Sequence, residues 1–220
     1  MSINFNMTVA VEICNIGNSD EIYPLCAQSY QYELFYYTES TLPFPLPNLD
    51  NRMKGKYFKT QAHKFLNHDI IIHLDASIEV INPDFIQICI DQLLNNDVVI
   101  SQHEQRKNVY EELEHIIDEM KLGNRYLLKR YVKQPLYAEY EFYKKSGMPK
   151  SYPLYNCSFF ARWNSDKINT AFNDWFDYIL RYSNFDQSQF AFSAWKNDLK
   201  MNVIEVKDLF IRNRHLGYNL

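Results

Sequence analysis

Residues 70–74 read Ile-Ile-Ile-His-Leu, and the run stops at Asp75. So uniformly apolar a stretch fits a strand covered on both faces, the kind a sheet makes when helices pack on its two sides. Around it, strand and helix signals alternate. Strands are expected at residues 7–14, 33–37, 97–101, 156–162 and 201–206. Helical periodicity occupies residues 52–65, with Asp50 or Asn51 as N-cap, then 109–122, 125–145, 165–182 and 187–196. A further helix starts at Asn82-Pro83-Asp84, with the proline in its first turn. Such alternation predicts an α/β fold in which helices flank a mixed, largely parallel sheet, parallel above all in the first half. Pro43, Pro45 and Pro47 mark a surface loop at 38–51. Neither a repeat nor a Gly/Ser linker divides the chain, so residues 1–220 are expected to form one domain.

Charge narrows the class of partner. With 23 Lys+Arg against 27 Asp+Glu the net charge is −4, which repels a polyanion at long range, so no nucleic-acid partner is expected. The first residues lack the basic and apolar regions of a signal peptide, and nothing approaches 18 uninterrupted apolar residues. A soluble, cytoplasmic protein without a transmembrane segment is the expectation. Cys14, Cys26, Cys89 and Cys157 are widely spaced with no CxxC pair, which reads as free, mostly buried thiols. With only 5 Gly and no GxGxxG, GxxxxGK[ST] or GxSxG, the Rossmann dehydrogenase, P-loop kinase and α/β-hydrolase classes fall together.

In an open α/β sheet, ligands bind beyond the carboxyl ends of the strands, and Asp75 stands at such an end. The segment Asp75-Ala76-Ser77 offers a carboxylate and a hydroxyl. A hard cation such as Mg²⁺ or Mn²⁺ accepts oxygen ligands of this kind while keeping waters or substrate phosphates. The plain alternative is that Asp75 caps a turn. Just upstream, Arg52, Lys54, Lys56, Lys59 and Lys64 crowd one helical segment. They form either a solvated face or a cluster able to pair with a diphosphate. His103, Glu104, Gln105 and Arg106 follow another strand, where their polar groups would reach the same crevice. Asp186 precedes an apolar helix and is equally an N-cap or a base. His63, His68 and His73 recur every five residues, a spacing that crosses from helix to strand and does not suit a zinc hydrolase.

The order K-x-x-x-H-K-F, apolar strand, D-A-S-I, then H-x-x-R-x-x-x-Y-E-E, Y-x-x-x-G-M-P and D-Q-x-x-F resembles a glycosyltransferase-like family of plant cell-wall and bacterial proteins. Small glycosyltransferase domains of large algal viruses are similar in size and layout. The resemblance spans about residues 52–195. It implies a GT-A fold that binds a nucleotide-sugar, with a UDP-sugar the expected donor, a carbohydrate the acceptor, and Mn²⁺ or Mg²⁺ held at a D-x-D element. Mapped here, Asp75 takes the metal, Ser77 stands where a second carboxylate is usual, and His215 in the basic C-terminal segment supplies a later ligand or a diphosphate contact. The Asp186-Gln187 pair matches the family's D-Q, preceded here by Phe185 rather than arginine.

On that reading residues 1–105 form a nucleotide-binding half, and 106–220 an acceptor half. Ile13, Cys14, Asn15, Tyr37 and Thr38 are placed near the base and ribose by topology. Arg52, Lys59, His103 and Arg106 are placed around the phosphates. Asp186 is the expected base, with Glu104 behind it, and a single displacement inverts the anomeric centre. Trp163, Trp175 and Tyr155 are candidates for stacking on a sugar, although core packing explains most aromatics in a chain this rich in them. The alternatives are a binding module with weak turnover, suggested by Ser77, and a nucleotidyltransferase, which lacks its Gly-rich loop.

Overall fold

The apolar run forms the spine of a six-stranded sheet. The structure is a computed structural model that describes residues 7–16 and 21–213. In it β1 (Val9–Cys14), β2 (Glu33–Tyr37) and β3 (Ile70–Asp75) run parallel, with β1 between the other two. Ile70, Ile72 and Leu74 pack on one side of the sheet with α2 (Phe85–Leu93), and Ile71 packs on the other side with Ala62 and Leu66. Period-two alternation thus serves a strand that is apolar on both faces. Asp75 is the last residue of β3, in register with Cys14 at the end of β1.

The next strand makes the sheet mixed, as the sequence leads one to expect. It is β6 (Tyr155–Trp163), which lies antiparallel between β3 and β5 (Val98–Gln102). The reason lies in the connection. Between them run α3 (Val109–Lys121), α4 (Arg125–Tyr131) and α5 (Leu136–Lys145). That excursion leaves and re-enters at one sheet edge, where His103 N–H donates to the Leu154 carbonyl at 3.1 Å, so β6 must run back. In the β5 pairing the register jumps from Ile100 opposite Phe160 to Ser101 opposite Asn156. This irregularity takes Cys157 and Ser158 out of the ladder with β5. A parallel β7 (Met201–Val203) closes the far edge, and α6 (Asp166–Arg181) and α7 (Asp186–Lys196) cover one face.

Several boundaries differ for local reasons. Asp50 is the N-cap of α1 (Asn51–Gln61), accepting from Met53 N–H at 2.8 Å, and the expected helix tightens into a short 3₁₀ turn at Ala62–Lys64. Pro83 lies outside α2. The expected helix over residues 125–145 breaks into α4 and α5 before Pro135, whose ring forbids the α conformation for the residue ahead of it. Strand β7 stops three residues early, and the segment read as a basic tail contains β8 (Phe210–Arg212), which pairs with β4 (Ile78–Val80).

Aromatic side chains fill the core. Trp175 is fully enclosed and donates its indole N–H to the Asp186 carbonyl at 2.8 Å; Trp163 donates to the Leu93 carbonyl at 3.0 Å. Tyr155 is also buried. Trp175 and Tyr155 belong to the packed interior and the part-buried Trp163 packs against it, which corrects their candidacy as sugar platforms. The four cysteines are free, with Cys89 and Cys157 buried. Among the described residues, no helix is long and apolar enough to cross a membrane.

Candidate active site

Helix α1 sets out the site by its pitch. Arg52, Lys56 and Lys59 recur at intervals of four and three residues, which places them on one face, and that face looks over the carboxyl ends of β1 and β3. Together with Asp75, Ser77, Asp186 and Arg130 they line a cleft of about 250 Å³. The displaced stretch Asn156-Cys157-Ser158 of β6 forms its floor.

Charges alternate along the cleft. Lys59 Nζ lies 3.2 Å from Asp75 Oδ1 and 3.1 Å from Asp186 Oδ2, and Lys56 Nζ lies 2.7 Å from the same Asp186 oxygen. Burial alone raises a carboxyl pKa. In Asp186 that effect is overcome by Lys56 and Lys59, which hold it well below the ordinary range. In Asp75, too, burial is outweighed, by Lys59 and then His73, so its pKa is lowered. Burial opposes the Lys59 charge, yet Asp186 and Asp75 more than offset it and its pKa rises; for Lys56 burial wins and its pKa falls. Lys59 is 5% exposed, so the face read as possibly solvated is turned inward here.

Beneath Asp75 the alternation continues into the core. His73 Nε2 lies 3.2 Å from Asp75 Oδ1, and its Nδ1 lies 3.0 Å from Oε1 of the enclosed Glu12. A neutral imidazole donates from one nitrogen only, so the other contact calls for a protonated carboxyl. Burial raises the Glu12 pKa and favours the proton there. His73 also stacks on Phe160 at 5.0 Å, which fixes the ring that orients Asp75. The same burial, with Glu12 nearby, pushes the Cys14 thiol up to about 12, so this cleft-lining thiol is un-ionised and unreactive at neutral pH.

The residues fit a divalent cation only in part. The Asp75 side chain is 43% exposed, but its Oδ1 already serves Lys59 and His73. Among the described residues, no group of three or more His, Cys, Asp or Glu side chains could hold a metal ion. A cation here would rest on Asp75, with Ser77 nearby, and take its remaining ligands from outside the chain.

The structure gathers Arg52, Lys59, Asp75, Ser77, Asp186 and Gln187 in one cleft and leaves others outside it. Ile13 is packed in the core; its neighbours Cys14 and Ile16 reach the cleft instead. Asn15 N–H donates to the Tyr37 carbonyl at 2.8 Å, and Thr38 is tied into a turn with Ser40 and Thr41; neither lines the cleft. His103 Nδ1 accepts from Arg106 N–H at 3.0 Å within its own loop. Glu104, at 57% exposure, pairs with Arg212 Nη1 at 2.5 Å, so the structure does not bring it to the cleft as a base. Arg106 pairs with Glu112 and lines a neighbouring cavity. His215 lies outside the described residues. Sequence reasoning missed Arg130, Asn156 and Ser158, which carry no local signal, and it weighed His73 only as a zinc ligand.

A buried carboxylate anchors the start of α7, where Asp186 stands. Glu139 accepts hydrogen bonds from Tyr143 Oη at 2.8 Å, Ser183 Oγ at 2.7 Å, Ser188 Oγ at 2.5 Å and Gln189 Nε2 at 3.0 Å. Burial nonetheless pushes its pKa from 4.5 up to about 7. A carboxyl group whose pKa is higher folded than unfolded contributes stability below its unfolded value, and loses it as pH rises through the folded one. Glu139→Gln keeps the shape and does not titrate. Melting curves between pH 5 and pH 8 are therefore expected to show the wild type losing on the order of 5 °C relative to the variant. Parallel curves would contradict this account of Glu139.

A family model described as the TOD1/MUCI70 glycosyltransferase-like domain matches residues 44–215, a span that contains every cleft residue just described except Cys14 and Ile16. No curated protein matches the sequence. Among solved structures, mouse xyloside xylosyltransferase 1 in its apo form is similar over 91% of this chain and 85% of its own, at 8% identity and a TM-score of 0.42. The apo bifunctional glycosyltransferase WbbM is similar over 94% of this chain, at 9% identity and a TM-score of 0.49; this chain spans 40% of its length.

Proposed function

The chain belongs to the TOD1/MUCI70 glycosyltransferase-like family, and from that premise we propose that its cleft transfers a sugar from a nucleoside-diphosphate sugar, a UDP-sugar in our reading, to a carbohydrate acceptor. One observation carries the reading: Lys56, Lys59, Arg52 and Arg130 converge with Asp75 and Asp186 where the parallel strands β1 and β3 end. Four cationic side chains against two carboxylates suit a diphosphate. The largely parallel sheet, with one antiparallel strand set into it, is consistent with the GT-A fold that the sequence resemblance implies.

The chemistry follows from charge. Breaking the anomeric C–O bond builds negative charge on the diphosphate, and positioned lysines and arginines stabilise that charge as it forms. A Mn²⁺ or Mg²⁺ ion on Asp75 would add Lewis-acid stabilisation of the same oxygens. Asp186 takes the proton of the acceptor hydroxyl, and attack opposite the leaving group inverts the anomeric carbon. Held by two lysines, Asp186 is a poor base. A bound diphosphate competes for Lys56 and Lys59, which loosens their hold on the carboxylate and raises its basicity.

The test is hydrolysis of a panel of nucleotide-sugars, with and without Mn²⁺, by wild type and Asp75→Ala. Wild type is expected to release nucleoside diphosphate from at least one donor, and the variant to be slower by about 10²-fold or more. No turnover with any donor, together with undiminished nucleotide binding by the variant, would favour a binding module instead.

A further inference from the structure

The cleft does not end at Asp186. A second cavity of about 230 Å³ lies beyond it, and Arg130, Asp186 and Gln187 line both spaces. We propose that this second cavity is the acceptor subsite and that it receives a single pyranose ring, its hydroxyl presented to Asp186. The assignment rests on the reading of the first cleft as the donor site.

Position is the first argument. With the donor in the cleft, a hydroxyl that must touch both Asp186 and the reacting carbon has to approach Asp186 from the other space that the residue borders. Surface chemistry is the second. Tyr126, Tyr131 and Phe185 give the cavity aromatic walls, Tyr131 and Phe185 meeting edge to face at 5.9 Å. Such walls match the apolar C–H face of a sugar ring, an amphipathic contact to which tyrosine is suited. Hydrogen-bonding capacity is the third. Among the described residues, Asn184 Oδ1 and Arg130 Nε are enclosed without a hydrogen-bond partner, one an acceptor and the other a donor, and both side chains line the cavity. A hydroxyl both donates and accepts, so a ring carrying several satisfies either kind of atom. Size is the last. At about 230 Å³ the cavity has room for one sugar ring.

Filling the cavity tests the proposal without requiring turnover. His115 lines it and is half-buried, so His115→Trp places an indole in the space; Phe185→Ala removes a wall instead. Binding of a panel of methyl pyranosides is followed by ligand-observed NMR on wild type and both variants, with UDP present and melting curves confirming the fold. Saturation transfer to at least one pyranoside in wild type, weakened tenfold or more in both variants, is the expected result. If His115→Trp fails to fold, Phe185→Ala carries the test alone. Equal binding in wild type and variants, or no binding by wild type, would overturn the assignment. Donor hydrolysis by wild type is measured alongside and reports on the donor reading separately: a chain that hydrolyses donor yet binds no pyranoside refutes only the acceptor subsite.

Discussion

Asp186→Asn is expected to lower sugar transfer by about 10²- to 10⁴-fold, the usual contribution of a positioned general base, without weakening the binding of nucleoside diphosphate. The sign of the second effect follows from the ion pairs. Asp186 absorbs charge from Lys56 at 2.7 Å and Lys59 at 3.1 Å. Once it is neutralised, both ammonium groups turn their full charge on an incoming diphosphate, so its affinity holds or rises. A fall in kcat with donor affinity retained is the signature of a base. A residue that merely propped up the cleft would lose both together. Steady-state kinetics on the variant, with calorimetric titration of the nucleoside diphosphate, separate the two.

Lys59→Met works in the opposite sense. It leaves Asp75 and Asp186 without the cation they share, and removing one partner of a buried charge network costs about 3 kcal/mol. For a chain of this size that is a fall in Tm of roughly 6 to 12 °C. Diphosphate affinity and turnover fall with it, because the most enclosed cation of the cleft is gone. The pH dependence has a definite sign. Asp186 has a folded pKa below its ordinary value of 3.8. The stability it draws from the lysines is therefore complete above that value and is lost as pH drops through the folded one. The stability gap between wild type and variant should accordingly be full at neutral pH and narrow in strong acid. Denaturant melts at pH 7 and pH 3 measure it, and a gap that widens in acid would contradict the pairing.

Some of this was legible before any coordinates. A run as apolar as Ile70-Ile71-Ile72 has one comfortable place, the middle of a sheet, and a carboxylate at its end then falls where ligands bind. The spacing of Arg52, Lys56 and Lys59 likewise fixed a common face. Their burial was not legible. A lysine-rich helix reads the same whether its cations meet water or carboxylates, and the partners here stand far along the chain, at Asp75 and Asp186. The place of β6 in the sheet was not legible either, since the strand reaches it through three helices and non-local pairing leaves no mark in local periodicity. Glu104 looked available because the arginine that engages it, Arg212, sits on β8, a strand hidden in what reads as a basic tail. The break before Pro135 was missed, although proline restricts the residue ahead of it and offered the signal.

In the function proposed here, Asp75, Lys59 and Asp186 surround the diphosphate of a nucleotide-sugar. A crystal of the chain soaked with UDP and Mn²⁺ tests it directly. β-Phosphate density is expected within hydrogen-bonding distance of Lys59 Nζ and in the space between Asp75 and Asp186. Nucleotide density seated elsewhere on the molecule, with the Lys59 ion pairs unchanged, would contradict it.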